Sequence, residues 1–347
     1  MSTMLAAVLD DVRSLNLRTL AIPLIADGEA LVQVKACGIC QTDYKAFTGE
    51  RMNWSAPIVL GHEISGIISD IKNQQSPFNS GDEVVVSPMV SCGFCSACRT
   101  GMQHYCTGNR TVIGGDGAEI VWDGGFAEFV RVPETALYLK PRNATFAEAA
   151  LTEPLAGSYK GLIENTKMVI GEDVVIIGAG GMGLLLAQIA SAAGAGTLIV
   201  IDLDDEKLQY ARRCGATNVI NAQTENAKDA VYRMIPSGPD IVFEAAGPIK
   251  AAELAYQLCR RGTRLNMFGV TTPGTIEVSP ADIHFNEIKV DASFSVNTKA
   301  MLKAINLMDK KLVDPKKIIT HTFRLQDIHE AFATMSQPDR IKIIIEP

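Results

Sequence analysis

Nothing in this sequence gathers positive charge. Lysine and arginine number 32 against 39 acidic residues, the formal net charge is -7, and no basic cluster occurs. That balance argues against nucleic acid or an anionic membrane surface as the main partner. Coiled-coil heptads, internal repeats and low-complexity tracts are missing too, so a fibrous or solenoid chain is not indicated. The opening MSTMLAAVLDDVRS has acidic residues where a signal peptide needs an apolar core, and a cytoplasmic protein is expected. The one long stretch without charge, 174–201, is long enough to span a bilayer. Glycines at 178, 180, 181, 183, 194 and 196 interrupt it between the β-branched runs VVII and TLIVI. Strand, turn, helix and strand describe it better than a membrane helix, so no membrane partner is expected.

What is present is a globular composition, 47% hydrophobic and 20% charged over 347 residues, enough for about two domains. Residues 91–106 read SCGFCSACRTGMQHYC, with Cys92, Cys95, Cys98 and Cys106 spaced C-x2-C-x2-C-x7-C. A reducing compartment disfavours disulfides. Small residues between the cysteines allow the tight turns that bring four thiolates onto one zinc. An iron–sulfur cluster or free thiols are the alternatives, but the bacterial cluster run has a shorter last gap followed by proline. Four thiolates would close a zinc shell, so this zinc would be structural and the chemistry would lie elsewhere.

Three stretches carry candidates for an open site: CGICQTDYK (37–45), VLGHEISG (59–66) and TEPLAG (152–157). Cys40, His62, Glu63 and Glu153 are metal-type donors, and a catalytic zinc takes three such donors and keeps a position open. Each alone has an ordinary reading. A lone cysteine is commonly a small buried hydrophobe, and Cys37 with Cys40 also forms the C-x2-C of a redox dithiol.

VVIIGAGGMGLLLAQIASAAG (174–194) reads as strand, glycine turn and helix, with G-x-G-x-x-G on Gly178, Gly180 and Gly183. The first glycine makes the turn, the second lets a pyrophosphate approach, and the third packs helix on strand. Gly181 and Met182 complete the turn at the helix N-terminus, where free N–H groups meet phosphate. The next strand, TLIVID (197–202), ends in Asp202, placed to accept from ribose hydroxyls and to repel the extra phosphate of NADP. NAD is therefore the expected cofactor. Asp202–Asp205 could instead cap the following helix, Asp204 above all. Further strands are expected within 239–247, 263–269 and 287–294, with Gly247 and Gly269 at strand ends under the dinucleotide or as ordinary turn glycines.

These pieces in order, with GGFAEFV (124–130) and the closing ITHTF and KIIIEP, resemble the zinc-dependent medium-chain alcohol and polyol dehydrogenases along nearly the whole chain. The glutamate at 153 is similar to the sorbitol and threonine dehydrogenase branch. The resemblance implies an α/β protein: a GroES-like, partly open β-barrel catalytic domain (1–154 and 295–347) and a doubly wound Rossmann domain (155–294), with substrate in the cleft between them. It implies that Cys40, not Cys37, binds catalytic zinc with His62 and an acidic contribution from Glu63 and Glu153, Asp43 orienting a ligand. Thr42 would accept the alcohol proton. Lys45 stands where many relatives carry the relay histidine; it could end the relay, bind an anionic substrate with Arg51 near the pocket mouth, or simply be exposed. Ser295 replaces an arginine common in relatives, so that residue's contacts do not carry over. The implied reaction is hydride transfer from a secondary alcohol of a polyol-like substrate, phosphorylated or acidic forms included, to NAD. Carbonyl reduction and a non-catalytic NAD-binding role are the alternatives. A homodimer or homotetramer is implied by resemblance only. His104, His284, His321 and His329 are assigned no role.

Overall fold

The computed structural model describes residues 2–50, 56–73, 75–108, 111–115, 120–270 and 273–347, so Arg51 and Trp54 lie outside the described residues. The chain divides into two compact units. Met1–Ala156, Ser295–Asp309 and Ile319–Pro347 make the first; Gly157–Phe294 and Lys310–Ile318 make the second. The tail from Ser295 is thus split, whereas the sequence reading gave all of it to the first domain. The local reason is visible at Asp314, whose N–H donates to the buried Gln188 Oε1 at 2.8 Å.

In the first unit the long strand Glu29–Ile39 organises a seven-stranded sheet. It pairs antiparallel with Glu63–Ile71, with Lys342–Glu346 and with Phe129–Pro133. Register shifts at Leu31/Val32 and Val34/Ala36 break the pairing with Glu63–Ile71, the kind of irregularity that bends a strand and curls a sheet. Alternate aliphatic side chains point inward, and Val32, Val34, Ile64, Ile68, Val84, Phe126, Ile343 and Ile345 form one buried cluster. The helix Gln41–Thr48 follows the long strand directly and ends at Gly49, which takes the left-handed conformation (φ 81°).

The second unit is a six-stranded sheet, parallel throughout, in the order Asn218–Asn221, Leu198–Asp202, Val174–Ile177, Ile241–Glu244, Arg264–Met267, Lys289–Ala292. Central strands covered on both faces need continuous apolar runs, which VVII and LIVID supply. The edge strand Asn218–Asn221 was not anticipated: only Ile220 of its four residues is fully buried, so its sequence lacks that run. The uncharged stretch folds as strand Val174–Ile177, helix Gly181–Ala192 and strand Leu198–Asp202. No helix among the described residues is long and apolar enough to cross a membrane.

Candidate active site and metal centres

Cys40 caps the helix Gln41–Thr48 at the end of the long strand, and His62 directly precedes the strand Glu63–Ile71. Asp43 holds these two segments together. Its Oδ2 accepts from Cys40 N at 2.8 Å, its Oδ1 accepts from Gly61 N at 3.2 Å, and Oδ1 lies 3.4 Å from His62 Nδ1. Burial works against charge on His62, but the Asp43 carboxylate outweighs it and raises the imidazole well above its ordinary value. With Nδ1 on Asp43, Nε2 is the nitrogen left for a metal.

The donor atoms of Cys40, His62 and Glu63 lie within 4.8 Å of one another. Glu63 is buried (1%), and its Oε2 has no hydrogen-bond partner. A buried oxygen without a partner is costly, and a cation bound by this mixed sulfur, nitrogen and oxygen set would satisfy it. The residues therefore fit zinc with a position left open. Glu153, in the first turn of the helix Thr152–Tyr159, is not in that three-residue group, but its charge couples to His62 and Glu63. Burial foremost, with the neighbouring carboxylates of Glu63 and Asp43, pushes Glu153 up to about 7, against the pull of His62 and Lys342. Thr42 is the second residue of the helix that Cys40 caps, and Lys45 lies half-buried in its last turn. Cys37 is fully buried among core residues, its Sγ packs under Gly61 and Gly125, and it is not among the three residues whose donor atoms come together.

Sequence reasoning missed Lys342. Its Nζ donates to Glu63 Oε1 at 2.5 Å and to Ile39 O at 3.0 Å, and the residue is buried (8%). Burial alone would lower the ammonium, but the charges of Glu63, Cys40 and Asp43 hold it above the lysine range. The available signal was a lysine opening a strand of three successive isoleucines, KIIIE. Gly38, in the same C-x2-C stretch, leaves the room this pair needs, since a Cβ there would overlap Glu63 Oε2.

The four-cysteine lobe is drawn together. Cys95 Sγ lies 3.4 Å from Cys98 Sγ and 3.9 Å from Cys106 Sγ, and Cys92 Sγ lies 3.9 Å from Cys98 Sγ. Zinc–sulfur bonds of about 2.3 Å in a tetrahedron require sulfurs roughly 3.8 Å apart, so the lobe fits a closed zinc site. Backbone N–H groups of Cys95 and Gly108 donate to Cys92 Sγ and Cys106 Sγ, both at 3.4 Å. Such bonds favour thiolate: those from Cys98 and Thr107 bring Cys95 down to about 5, while burial pushes Cys98 up to about 11.

In the second unit Gly178 takes a left-handed φ of 107°, and a Cβ on Gly183 would overlap its carbonyl. Gly180 caps the helix Gly181–Ala192, and a Cβ there would meet open space, which leaves the backbone approachable. Gly181 and Met182 begin that helix, both partly exposed. Asp202 Oδ2 accepts from Ala179 N at 2.6 Å, and Oδ1 accepts from Leu203 N at 2.7 Å and Asp204 N at 3.1 Å. A carboxylate has about four acceptor positions, so Asp202 ties the glycine turn to the strand end and retains capacity for a ligand. Asp204 is the cap of the helix Asp205–Arg213, accepting from Glu206 N and Lys207 N. Gly247 (φ 99°) and Gly269 lie beyond the strands Ile241–Glu244 and Arg264–Met267.

Residues 26–142 match the family model of the alcohol dehydrogenase GroES-like domain, and residues 181–310 match that of the zinc-binding dehydrogenases. The chain is 31% identical over 351 residues to a sorbitol dehydrogenase of Bacillus subtilis (strain 168), covering 99% of this chain and 97% of the relative. It is 28% identical to a D-arabitol-phosphate dehydrogenase of Enterococcus avium, covering 94% and 92%. A zinc-binding dehydrogenase structure from Sinorhizobium meliloti 1021, bound to NADP, superposes with a TM-score of 0.92 at 30% identity over 100% of both chains. A dehydrogenase structure from E. coli CFT073, complexed with NADH, gives 0.91 at 26% identity over 100% of both chains. The order of motifs, the two donor sets and these full-length likenesses agree: the chain belongs to the zinc-dependent medium-chain dehydrogenases and is an oxidoreductase.

Proposed function

We propose that this protein oxidises a secondary alcohol of a polyol-like substrate to a ketone, with zinc and NAD. The observation that carries the reading is the Cys40, His62 and Glu63 donor group with Glu153 beside it. When bound, zinc supplies Lewis acidity toward an alcohol oxygen, and the nicotinamide supplies a hydride acceptor. Asp43 orients His62 and holds the Cys40 segment. Glu153, a carboxyl held at about 7, exchanges a proton near neutral pH. Thr42 offers a hydroxyl on the helix that Cys40 caps. The negative charge of Asp202, with no arginine in Leu203–Glu206, favours NAD over NADP.

Lys45 supports a second reading for the substrate. A cation on the Cys40 helix suits a phosphorylated or acidic polyol, and one similar protein is a D-arabitol-phosphate dehydrogenase. The test is a screen of neutral polyols paired with their phosphorylated and acidic analogues, each with NAD and with NADP, on protein of known zinc content. Reduction of NAD by a polyol, with two zinc ions per chain, supports the main reading; preference for the anionic analogues supports the second. Zinc-loaded protein that turns over no alcohol with either dinucleotide overturns both.

Two further assignments belong to this reading. A cytoplasmic location is part of the reading, and none of the eight cysteines is in a disulfide. A homo-oligomer is supported by the sheet edge formed by Lys289–Ala292. All four residues are exposed, Val290 by 51%, and Phe285 nearby is exposed by 76%. An open strand edge favours pairing with another strand, and antiparallel pairing centred on Val290 would set Lys289 against Asp291 across a two-fold axis.

A further inference from the structure

We infer that Glu244 is a positioning residue for the dinucleotide, one that fixes the Ala246–Gly247 turn against which the cofactor lies. The inference rests on the NAD reading above. Glu244 ends the strand Ile241–Glu244, paired with Ile177 on one side and Met267 on the other. It therefore stands at the middle of the carboxyl edge of the sheet, where doubly wound folds bind their ligands. Its side chain is fully buried (0%), an expensive place for a carboxyl group without strong hydrogen bonds.

The bonds it makes explain its presence. Oε1 accepts from both Ala246 N at 2.8 Å and Gly247 N at 2.7 Å. Its main-chain oxygen accepts from Phe268 N at 2.9 Å and Gly269 N at 2.7 Å. One residue thus anchors the turns after two neighbouring strands. The glycine turn leans on the same segment: a Cβ on Gly178 would come within 2.9 Å of Ala246 N. Oε2 has no hydrogen-bond partner and fits only because Gly269 has no side chain, a Cβ there falling 2.6 Å away. An apolar residue at 244 would strand two N–H groups at the edge of the cofactor site. They would be satisfied only by moving the turn, and an N–H otherwise committed to Glu244 would compete for other acceptors.

The test is NADH binding to the zinc-loaded protein, followed by nucleotide fluorescence, with KM for NAD and for the alcohol measured alongside. Glu244→Ala should weaken NADH binding and raise KM for NAD by about tenfold or more, the scale of a lost charge-assisted hydrogen bond. KM for the alcohol should stay within about twofold, as follows from a change confined to cofactor binding. Glu244→Gln should restore NADH affinity to within about threefold, because its amide oxygen can accept the same two N–H groups. Wild-type affinity in Glu244→Ala would overturn the inference, and so would a Gln variant as weak as the Ala variant. If the Ala variant does not fold, Glu244→Asp serves instead: its shorter side chain withdraws the acceptor, so weaker NADH binding supports the inference and unchanged binding overturns it. Wild-type protein that binds no NADH would overturn the cofactor reading, and this inference with it; binding by wild type and variants alike overturns this inference alone.

Discussion

Glu63 and Lys342 form a buried ion pair 2.5 Å long across 279 residues of sequence, and the carboxylate in that pair is also a donor of the proposed catalytic metal site. The lysine compensates a charge that would otherwise be stranded when the metal is absent. Lys342→Met should therefore destabilise the metal-free protein by about 3 kcal/mol or more, the cost of breaking a buried pair from one side. Zinc should recover part of that loss. Urea unfolding with and without zinc checks it: the gap between the two states should widen in the variant.

At the proposed catalytic centre Asp43 would act through two neighbours, Cys40 and His62. Asp43→Ala removes the acceptor from Cys40 N and Gly61 N and the charge beside His62 Nδ1. Zinc affinity at this centre should fall by about 10–100-fold. Competition with a chelator, following release of one zinc ion while the cysteine lobe retains its own, measures the effect.

The cysteine lobe should be separable from the chemistry. Cys98→Ser removes one of the four mutually close sulfurs. The variant should bind one zinc ion fewer and melt at lower temperature, because a structural zinc contributes folding energy directly. The remaining zinc should still respond to Asp43→Ala. Metal analysis of the single and double variants reads this out.

Lys160 gives a pH signature in the second unit. Burial lowers it to about 8, against the raising effect of Glu164 and Asp291, and its Nζ donates to Phe294 O at 2.6 Å. A lysine with a lowered folded-state value binds fewer protons folded than unfolded between about pH 8 and its unfolded value of about 10.4. Its contribution to stability is therefore fully present above that upper value and is lost as pH falls through about 8. Unfolding curves of wild type and Lys160→Met across this window should differ in slope, wild type gaining relative to the variant as pH rises. Parallel curves would refute it.

The proposed homo-oligomer would pair through the sheet edge at Val290. Val290→Glu places a charge at the centre of the proposed pairing, so light scattering should show a smaller particle than wild type. An unchanged mass would remove this edge from consideration.

What could be read from the sequence is what short range determines. The glycine turn, its helix and Asp202 lie within 25 residues, and their spacing alone conveys a strand–turn–helix unit. The cysteine lobe is equally local. Cys40, His62, Glu63 and Glu153 could be nominated by type, but which three bring their donor atoms together depends on where the folded strands set the side chains. Lys342 was missed because its one local signal, a lysine opening KIIIE, does not name its partner, which is set by tertiary pairing of the closing strand with Glu29–Ile39. Asn218–Asn221 escaped because a short edge strand needs little hydrophobic content. Glu244 escaped for the opposite reason: a charged residue at the end of the apolar run IVFE reads as an exit to solvent, yet it is fully buried.

The order in which the strands are made has its own consequence. Lys342–Glu346 lies between Glu29–Ile39 and Ile319–Arg324, so the first unit's main sheet stays in two pieces until the ribosome has passed Glu346. Every strand of the second unit has been synthesised by Ala292. The nascent chain can thus form its nucleotide-binding sheet early, while the proposed metal centre, whose counter-ion Lys342 is made after every strand of that sheet, is completed later. Assembly of the catalytic half is a late event built into the chain order, and until then the Glu63 carboxylate waits without its lysine.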